Sequence, residues 1–244
     1  MSTVYAVDFP AAQALRRDCQ NCGFNAWHLP ANLTVHESAQ FNACISHRRP
    51  LRRNEFLHHV GTALTSLYVL HSGFLVTRVA DAAGHEHIIS FSMPGELVGL
   101  EAVGASRHQC ETAALEDSHL CGMTFADLEQ LGRKIPELQR HFVRVMGQEI
   151  TRDYGIMLLL GSLNAEQRVA LFVLNLSKRF AARGYSGVHF RLPMTRYEIG
   201  NYLGLKLETV SRVFSHFNEA RLMAINGKDL LITDLARLRR INAQ

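Results

Sequence analysis

The sequence predicts an α+β protein with three parts in chain order: an N-terminal antiparallel β-roll of the cupin-like jelly-roll type, a long coiled-coil dimerisation helix and a C-terminal winged helix-turn-helix. Short apolar segments separated by glycines run from about Pro50 to Phe125, which is typical of a roll. One long helical pattern follows Pro136. A helix-turn-helix spacing with a hairpin signal comes after it.

The composition is that of a folded globular chain. Of 244 residues, 47% are hydrophobic and 20% are charged, with 17 Gly and 6 Pro, which excludes a disordered or collagen-like chain. The longest apolar stretch, 156–160, is too short to cross a bilayer, and the N-terminus has no charged region leading into an apolar run. We therefore expect a cytoplasmic protein with no membrane partner. Five cysteines, an odd number, favour thiols or metal ligands over a disulfide framework.

The predicted domain organisation has four ranges. Residues 1–30 form an N-terminal cysteine-containing segment, 31–133 the β-roll, 134–163 the dimerisation helix and 164–244 the winged helix-turn-helix.

Within the roll, four strands are predicted from alternation and turn residues: Ser66–Leu70, Gly73–Val79, His87–Ser90 and Leu97–Gly99. His85 and His87 lie two residues apart and would share one strand face as a possible metal pair. Two ligands without a third are more typical of an exposed polar strand.

The helix after Pro136 has a coiled-coil seam. Its seam positions alternate in steps of three and four, which predicts a parallel homodimer; a helix packed on its own domain is the alternative. The seam residues are Val143, Met146, Ile150, Asp153, Met157 and Leu160.

Asp153 is the charged residue of that seam. A symmetric dimer would bring two carboxylates together, and burying unpaired charge is costly. We therefore expect the equilibrium between monomer and dimer to be close to balance, so that a modest free energy released elsewhere determines whether the dimer forms. An aspartate at the seam's edge, reaching solvent or pairing with Arg152 of the partner subunit, is the competing interpretation.

Positive charge is concentrated in the C-terminal third. Residues 164–244 contain 13 Lys and Arg against 6 Asp and Glu, net +7, whereas residues 1–163 contain 13 against 16, net −3. This excess favours a polyanionic partner such as double-stranded DNA, although a solvated basic surface has the same composition.

Two short helices follow within this basic block. Thr195 can cap the first, Gly204 ends it, and the second begins near 207–208. Asn226 and Gly227 lie between apolar segments and predict a tight hairpin, hence a wing. An ordinary helical hairpin is the alternative, but charge, spacing and hairpin together favour a DNA-binding unit.

The second helix has a polar face suited to reading base edges. Arginine can donate two hydrogen bonds to guanine, glutamate can accept one from the cytosine amino group, and serine can contact either an edge or a thymine methyl group. We predict base-reading roles for Glu208, Ser211 and Arg212. The candidates for phosphate contacts, which fix position without specifying sequence, are Thr195, Arg196, Lys206 and Lys228.

Together, the roll, the seam helix and the winged helix resemble the CRP/FNR family of dimeric bacterial transcription regulators over almost the whole chain. The FNR branch is the closer match, on the segments SGFLVTRV, PGELVG, NAEQRVALFVLNLSKRF and FRLPMTRYEIGNYLGLKLETVSRVFSHF. The resemblance implies an activator, not an enzyme, that binds a palindrome with TTGAT-like half-sites and recruits RNA polymerase when oxygen is low.

The cyclic-nucleotide branch of this family has an Arg followed by Ser or Thr that binds the cyclic phosphate. Here Arg107 is followed by His108, so no cyclic AMP binding is expected, and Glu96 and Arg107 are expected to be structural.

The FNR branch implies an oxygen-labile four-iron, four-sulfur (4Fe-4S) cluster held by three N-terminal cysteines and one from the roll. Cys19 and Cys22 match the first pair, and Cys121, in SHLCGMTF, matches the cysteine of the roll. The third N-terminal cysteine is replaced by His28, just before a Leu-Pro pair. Because imidazole can bind iron, His28 is a chemically reasonable fourth ligand. The alternative ligands are Cys44 and Cys110.

Two rival interpretations remain. The same regulator could work without a cluster, controlled by thiol oxidation at Cys19 and Cys22, by a small ligand in the roll, or by a zinc ion on Cys19, Cys22, His28 and Cys121. A roll-domain enzyme or metal-storage protein is a rival of another class. It leaves the winged helix unexplained, and no nucleophile, base and orienting group stand in recognisable spacing.

Overall fold

A computed structural model describes residues 30, 33–45 and 47–242, without the side chains of His47, 152–160 and Ser162. It confirms the predicted α+β fold class: a β-roll, a long helix and a C-terminal winged helix-turn-helix follow one another. The predicted cluster ligands Cys19, Cys22 and His28 lie outside the described residues. None of the described helices is long and apolar enough to span a bilayer.

The roll consists of two four-stranded antiparallel sheets, ordered β1-β8-β3-β6 and β2-β7-β4-β5. An apolar layer that includes Leu51, Leu70, Leu75 and Leu120 draws residues from both sheets. The strands are β1 His47–Leu51, β2 Phe56–His58, β3 Ser66–Ser72, β4 Leu75–Ala80, β5 Glu86–Ser92, β6 Leu97–Val98, β7 Glu111–Ala114 and β8 Ser118–Thr124.

All four predicted roll strands are present, as β3 to β6, and the predicted second strand begins two residues late. The chain turns at Gly73, which has φ +90°. A Cβ there would collide with the side chain of Ser118, so only glycine fits this position before the strand. The strands β1, β2, β7 and β8 were not identified from the sequence.

Three helices border the roll. Helix α1, Val35–Cys44, begins at Thr34, which forms a reciprocal capping box with Glu37. Helix α2 spans Phe125–Lys134. Helix α3 spans Pro136–Ser162, 27 residues, with proline in its first turn, and is the predicted long helix.

The C-terminal domain packs three strands against four helices. Its strands form an antiparallel sheet in the order β10-β11-β9. The elements are α4 Ala165–Ala182, β9 His189–Arg191, α5 Arg196–Leu203, α6 Leu207–Glu219, β10 Met223–Asn226, β11 Asp229–Ile232 and α7 Leu235–Arg240.

One apolar core joins the roll to the C-terminal domain. Phe91 of β5 lies 5.2 Å from the ring of Tyr202 of α5 and 6.2 Å from the ring of Phe172 of α4, between ring centroids. The Phe172 and Tyr202 rings are 5.8 Å apart. Such aromatic contacts add to the free energy of burial, so this interface fixes how the two domains sit together.

Candidate nucleic-acid interface and sensor domain

Capping and one close backbone approach shape the helix-turn-helix. Thr195 caps α5: its Oγ1 accepts a hydrogen bond from Glu198 N at 3.2 Å, and its own N donates to Glu198 Oε2 at 2.7 Å. The helix ends at Gly204, with φ +63°. A Cβ at Gly200 would lie 2.6 Å from the carbonyl oxygen of Leu205, so glycine is required there. These features set the turn that leads into α6.

Helix α6 divides into a buried and an exposed face. Its buried residues are Val210, Val213, Phe214 and Phe217. The three predicted base readers, Glu208, Ser211 and Arg212, are all exposed on the other face. The fold therefore brings them together on one helix that is open to solvent, as a recognition helix requires.

The side chains predicted to contact phosphate differ in their exposure and in the protein groups that they contact. Lys206 is exposed at the N-cap of α6. The Arg196 guanidinium lies 3.8 Å from the centre of the Phe214 ring, and burial lowers the pKa of Arg196. Lys228 Nζ donates to the Pro193 carbonyl oxygen at 2.7 Å. The Thr195 hydroxyl donates to Glu198 Oε2 at 2.9 Å, within the capping box.

The predicted wing hairpin is present. Strands β10 and β11 pair in register from Met223 with Ile232 to Asn226 with Asp229, and Gly227 between them has φ +60°. Strand β9 completes the sheet.

Cys121, the predicted cluster ligand from the roll, lies on β8 and is 6% exposed. It belongs to an apolar cluster with Phe41 of α1, and both Leu33 and Cys44 pack against that cluster. The described cysteines, Cys44, Cys110 and Cys121, form no disulfide with one another. A thiol in an apolar shell fits a cluster ligand, because such a shell controls solvent access to the metal.

A cavity of about 550 Å³ lies between the roll and α3. Glu101, Cys110 and Thr112 line it from the roll, and Met146 and Glu149 line it from α3. A cavity of this size accommodates a small molecule.

Glu96 and Arg107, expected to be structural, make protein contacts. Arg107 donates to the Gly61 carbonyl oxygen at 2.7 Å. Glu96 is buried and accepts hydrogen bonds from Arg179 of α4 at 2.9 and 2.6 Å and from Arg183 at 2.9 Å. Burial acts to lower the pKa of Arg179, but the charge of Glu96 and its hydrogen bonds raise it overall.

The domain-docking contacts of Asn201 were not predicted from the sequence. Its side chain accepts from Ile88 N at 2.6 Å and donates to the Glu86 carbonyl oxygen at 2.8 Å, so α5 satisfies the backbone of strand β5. These partners are over 110 positions apart in the chain, and a lone asparagine in a helix gives no signal for such pairing.

Among the described side chains of α3, the two exposed large apolar residues lie one heptad apart. Val143 is 57% exposed and Ile150 is 53% exposed, while Met146 lines the cavity. The seam positions Asp153, Met157 and Leu160 lie where side chains are not described.

The predicted histidine pair lies at the start of β5. His85 precedes the strand and His87 is within it. Both contact Asp81 Oδ2, at 3.2 and 3.1 Å. The hydrogen bond from the His85 backbone amide, followed by those of the His87 and His85 side chains, lowers the pKa of Asp81 to about 2.

A roll with a cavity against its long helix, joined by that helix to an exposed recognition helix and wing, defines a DNA-binding transcription regulator. Residues 167–241 match the family model of a Crp-like helix-turn-helix domain, and 48–134 match that of a cyclic nucleotide-binding domain. The chain belongs to the CRP/FNR family, and its relatives support the FNR branch.

Two curated relatives illustrate this likeness. The chain is 41% identical over 220 residues to the transcriptional activator protein Anr of Pseudomonas protegens, covering 90% of each. It is 40% identical over 214 residues to the fumarate and nitrate reduction regulatory protein of Escherichia coli, covering 88% of this chain and 86% of that one. Among solved structures, FixK2 from Bradyrhizobium japonicum superposes with a TM-score of 0.75 at 26% identity, covering 81% of this chain and 98% of that chain.

Proposed function

We propose that this regulator responds to oxygen through a 4Fe-4S cluster held by Cys19, Cys22, Cys121 and His28. The observation that carries the proposal is the position of Cys121, a buried thiol in the apolar cluster against which Leu33 packs. His28 lies five positions before Leu33, and five residues reach at most about 18 Å. His28 is therefore within reach of this apolar cluster along the chain, which supports the proposal that the N-terminal ligands join Cys121.

When bound, the cluster supplies an oxygen-labile iron centre. The chain's own part is to present Cys121 from a rigid strand and to exclude water from it with the apolar residues of α1 and α2, including Phe41 and Leu131. The imidazole of His28 would add a neutral ligand where the family has a thiolate. The names of the relatives support this signal, since several are called anaerobic regulatory proteins.

The proposed output is binding of a homodimer to a TTGAT-like palindrome, followed by recruitment of RNA polymerase as an activator. Val143 and Ile150 give α3 an exposed apolar face for a second copy of the chain. Glu208, Ser211 and Arg212 would then read bases in two half-sites one helical turn apart. Thr195, Arg196, Lys206 and Lys228 would contact phosphates.

Anaerobic purification tests the sensor directly. We expect about four irons and four acid-labile sulfides per chain, with visible absorbance that bleaches in air. Cys121→Ala should abolish the iron, whereas Cys44→Ala, at the edge of the same apolar cluster, should retain it. An iron-free wild-type protein that still binds the palindrome would overturn the cluster and leave the DNA-binding regulator intact.

The cavity of about 550 Å³ favours a second candidate, the same regulator controlled by a small ligand in the roll. It requires the iron-free outcome just described, together with an effect of the ligand on DNA affinity. Substituting Thr112→Val at the cavity wall should then change the response to ligand without changing the affinity of the ligand-free protein for DNA.

A further inference from the structure

Three side chains of metal-ligating type meet beside the cavity between the roll and α3, and one of them, Glu101, lines it. They come from separate segments: His58 from β2, Glu101 from the short 3-10 helix Leu100–Ala102, and His108 from the segment before β7. One ligand atom of each lies within 4.8 Å of those of the other two. His108 Nδ1 is 2.7 Å from Glu101 Oε1, and His58 Nε2 is 3.5 Å from the same oxygen.

The two histidines are buried, and within the described part of the chain His58 has no hydrogen-bond partner for its ring nitrogens. His58 is 8% exposed and His108 is 5% exposed. Buried polar groups are almost always paired, and leaving one unpaired costs about 1 to 3 kcal/mol. An imidazole with two unpaired nitrogens beside a carboxylate is therefore a position that a ligand would complete.

The cavity supplies both access and a further donor. Glu101 and Cys110 line it, so an ion can reach the carboxylate without opening the roll. Cys110 is buried and lines the cavity together with Glu101. Two imidazoles, one carboxylate and one thiol are the donor types found in tetrahedral zinc sites, and imidazole and thiolate disfavour Mg²⁺ and Ca²⁺.

We propose that His58, Glu101 and His108 bind one divalent transition-metal ion, best matched by Zn²⁺. Cys110 lies outside this group of three, so its side chain would have to move to become the fourth ligand. Bonds of about 2.1 Å place tetrahedral ligand atoms about 3.4 Å apart, close to the separation of His58 and Glu101. The imidazole rings are stacked, with centroids 3.6 Å apart and planes 10° from parallel. One ring must turn about χ2 for both nitrogens to face the ion.

Occupancy of this site would act on the dimerisation helix. Glu101 lines the same cavity as Met146, Glu149 and Ile150 of α3. An ion would neutralise Glu101 and fix its carboxylate, which changes the surface that α3 faces. The site uses none of the residues proposed to hold the iron–sulfur cluster, so the two proposals stand or fall separately.

The test is a Co²⁺ titration of the reduced, metal-free full chain carrying Cys19→Ser and Cys22→Ser, which removes the paired N-terminal thiols. We expect one Co²⁺ per chain with the intense ligand-field absorption of a tetrahedral site, displaced by Zn²⁺. Glu101→Gln and His58→Gln should weaken binding at least tenfold, whereas His59→Gln, the exposed neighbour, should not. Circular dichroism establishes that each variant is folded. If His58→Gln fails to fold, Glu101→Gln still tests the site, because it removes no buried ring.

Equal Co²⁺ affinity in the parent and folded Glu101→Gln proteins would overturn the site. The sulfur ligand has its own readout, the thiolate-to-Co²⁺ charge-transfer band. Loss of that band in Cys110→Ser would support Cys110 as the fourth ligand, and its persistence would overturn that assignment.

Discussion

Arg179 forms two hydrogen bonds to the carboxylate of Glu96, at 2.9 and 2.6 Å, and so ties helix α4 of the DNA-binding domain to the roll. Both side chains are largely buried, and Arg183 adds a third bond to the same carboxylate. Arg179 also donates to the Phe91 carbonyl oxygen at 2.6 Å, so the tie reaches strand β5. Removing Glu96 would leave two guanidinium groups without their shared carboxylate at the domain interface.

Glu96→Gln is therefore expected to destabilise the protein by about 3 kcal/mol, because breaking a buried ion pair leaves uncompensated charge. Chemical denaturation of the purified protein measures this. Glu116→Gln is the matched control: Glu116 pairs with Arg191 at 3.1 Å across the same two domains, but both side chains are substantially exposed. Glu116→Gln should lower the free energy of unfolding by no more than about 1 kcal/mol. Equal losses for the two variants would contradict the assigned role of Glu96.

Gly200→Ala should destabilise the DNA-binding domain by about 1 to 3 kcal/mol, since the added Cβ would lie 2.6 Å from the Leu205 carbonyl oxygen and force a backbone shift. The same change at Gly132, in helix α2, meets only an ordinary contact at 3.7 Å. Gly132→Ala should be neutral or stabilising by up to about 1 kcal/mol. Thermal unfolding of both variants provides the comparison. Unchanged thermal stability of Gly200→Ala would show that the backbone of the turn shifts to accommodate a Cβ at little cost.

Local patterns explain what could be predicted from the sequence. The capping box at Thr195, the left-handed Gly204 and the hairpin at Gly227 each depend on residues within a few positions, so their residue types and spacing were sufficient. The exposed face of α6 follows likewise from helical periodicity.

Long-range contacts explain what could not be predicted. Arg179 and Glu96 are 83 positions apart, and Asn201 and Ile88 are 113 positions apart, so no periodicity relates them. The grouping of His58 with Glu101 similarly depends on how β2 and the 3-10 helix are placed by the roll. Such contacts emerge only once the sheets and domains have packed.

Arg212→Ala and Lys206→Ala should separate sequence reading from phosphate contact. Loss of Arg212 should weaken binding to the proposed TTGAT-like palindrome by about 1 to 3 kcal/mol and reduce discrimination against sites in which the half-site guanine is replaced. Loss of Lys206 should weaken binding to all sequences and lower the salt dependence of log K by about 1. Fluorescence anisotropy at several salt concentrations, with cognate and substituted DNA, distinguishes the two patterns. A uniform loss with Arg212→Ala would show that it does not read bases.

Ile150→Glu should weaken the proposed dimer, because it places a charge on the apolar face of α3 where Ile150 is 53% exposed in a single chain. Gln148→Glu makes the same change in charge on the exposed surface of that helix, two residues away and facing elsewhere, so its dimer dissociation constant should stay near wild type. Asp153→Ala should act in the opposite direction and tighten association if the predicted seam brings the two Asp153 carboxylates of a dimer together, since it would remove both. Analytical ultracentrifugation over a range of protein concentrations measures all three. An unchanged constant for Asp153→Ala would mean that its carboxylate reaches solvent or a cation at the seam's edge and does not oppose assembly, while an unchanged constant for Ile150→Glu would remove this face of α3 from the dimer.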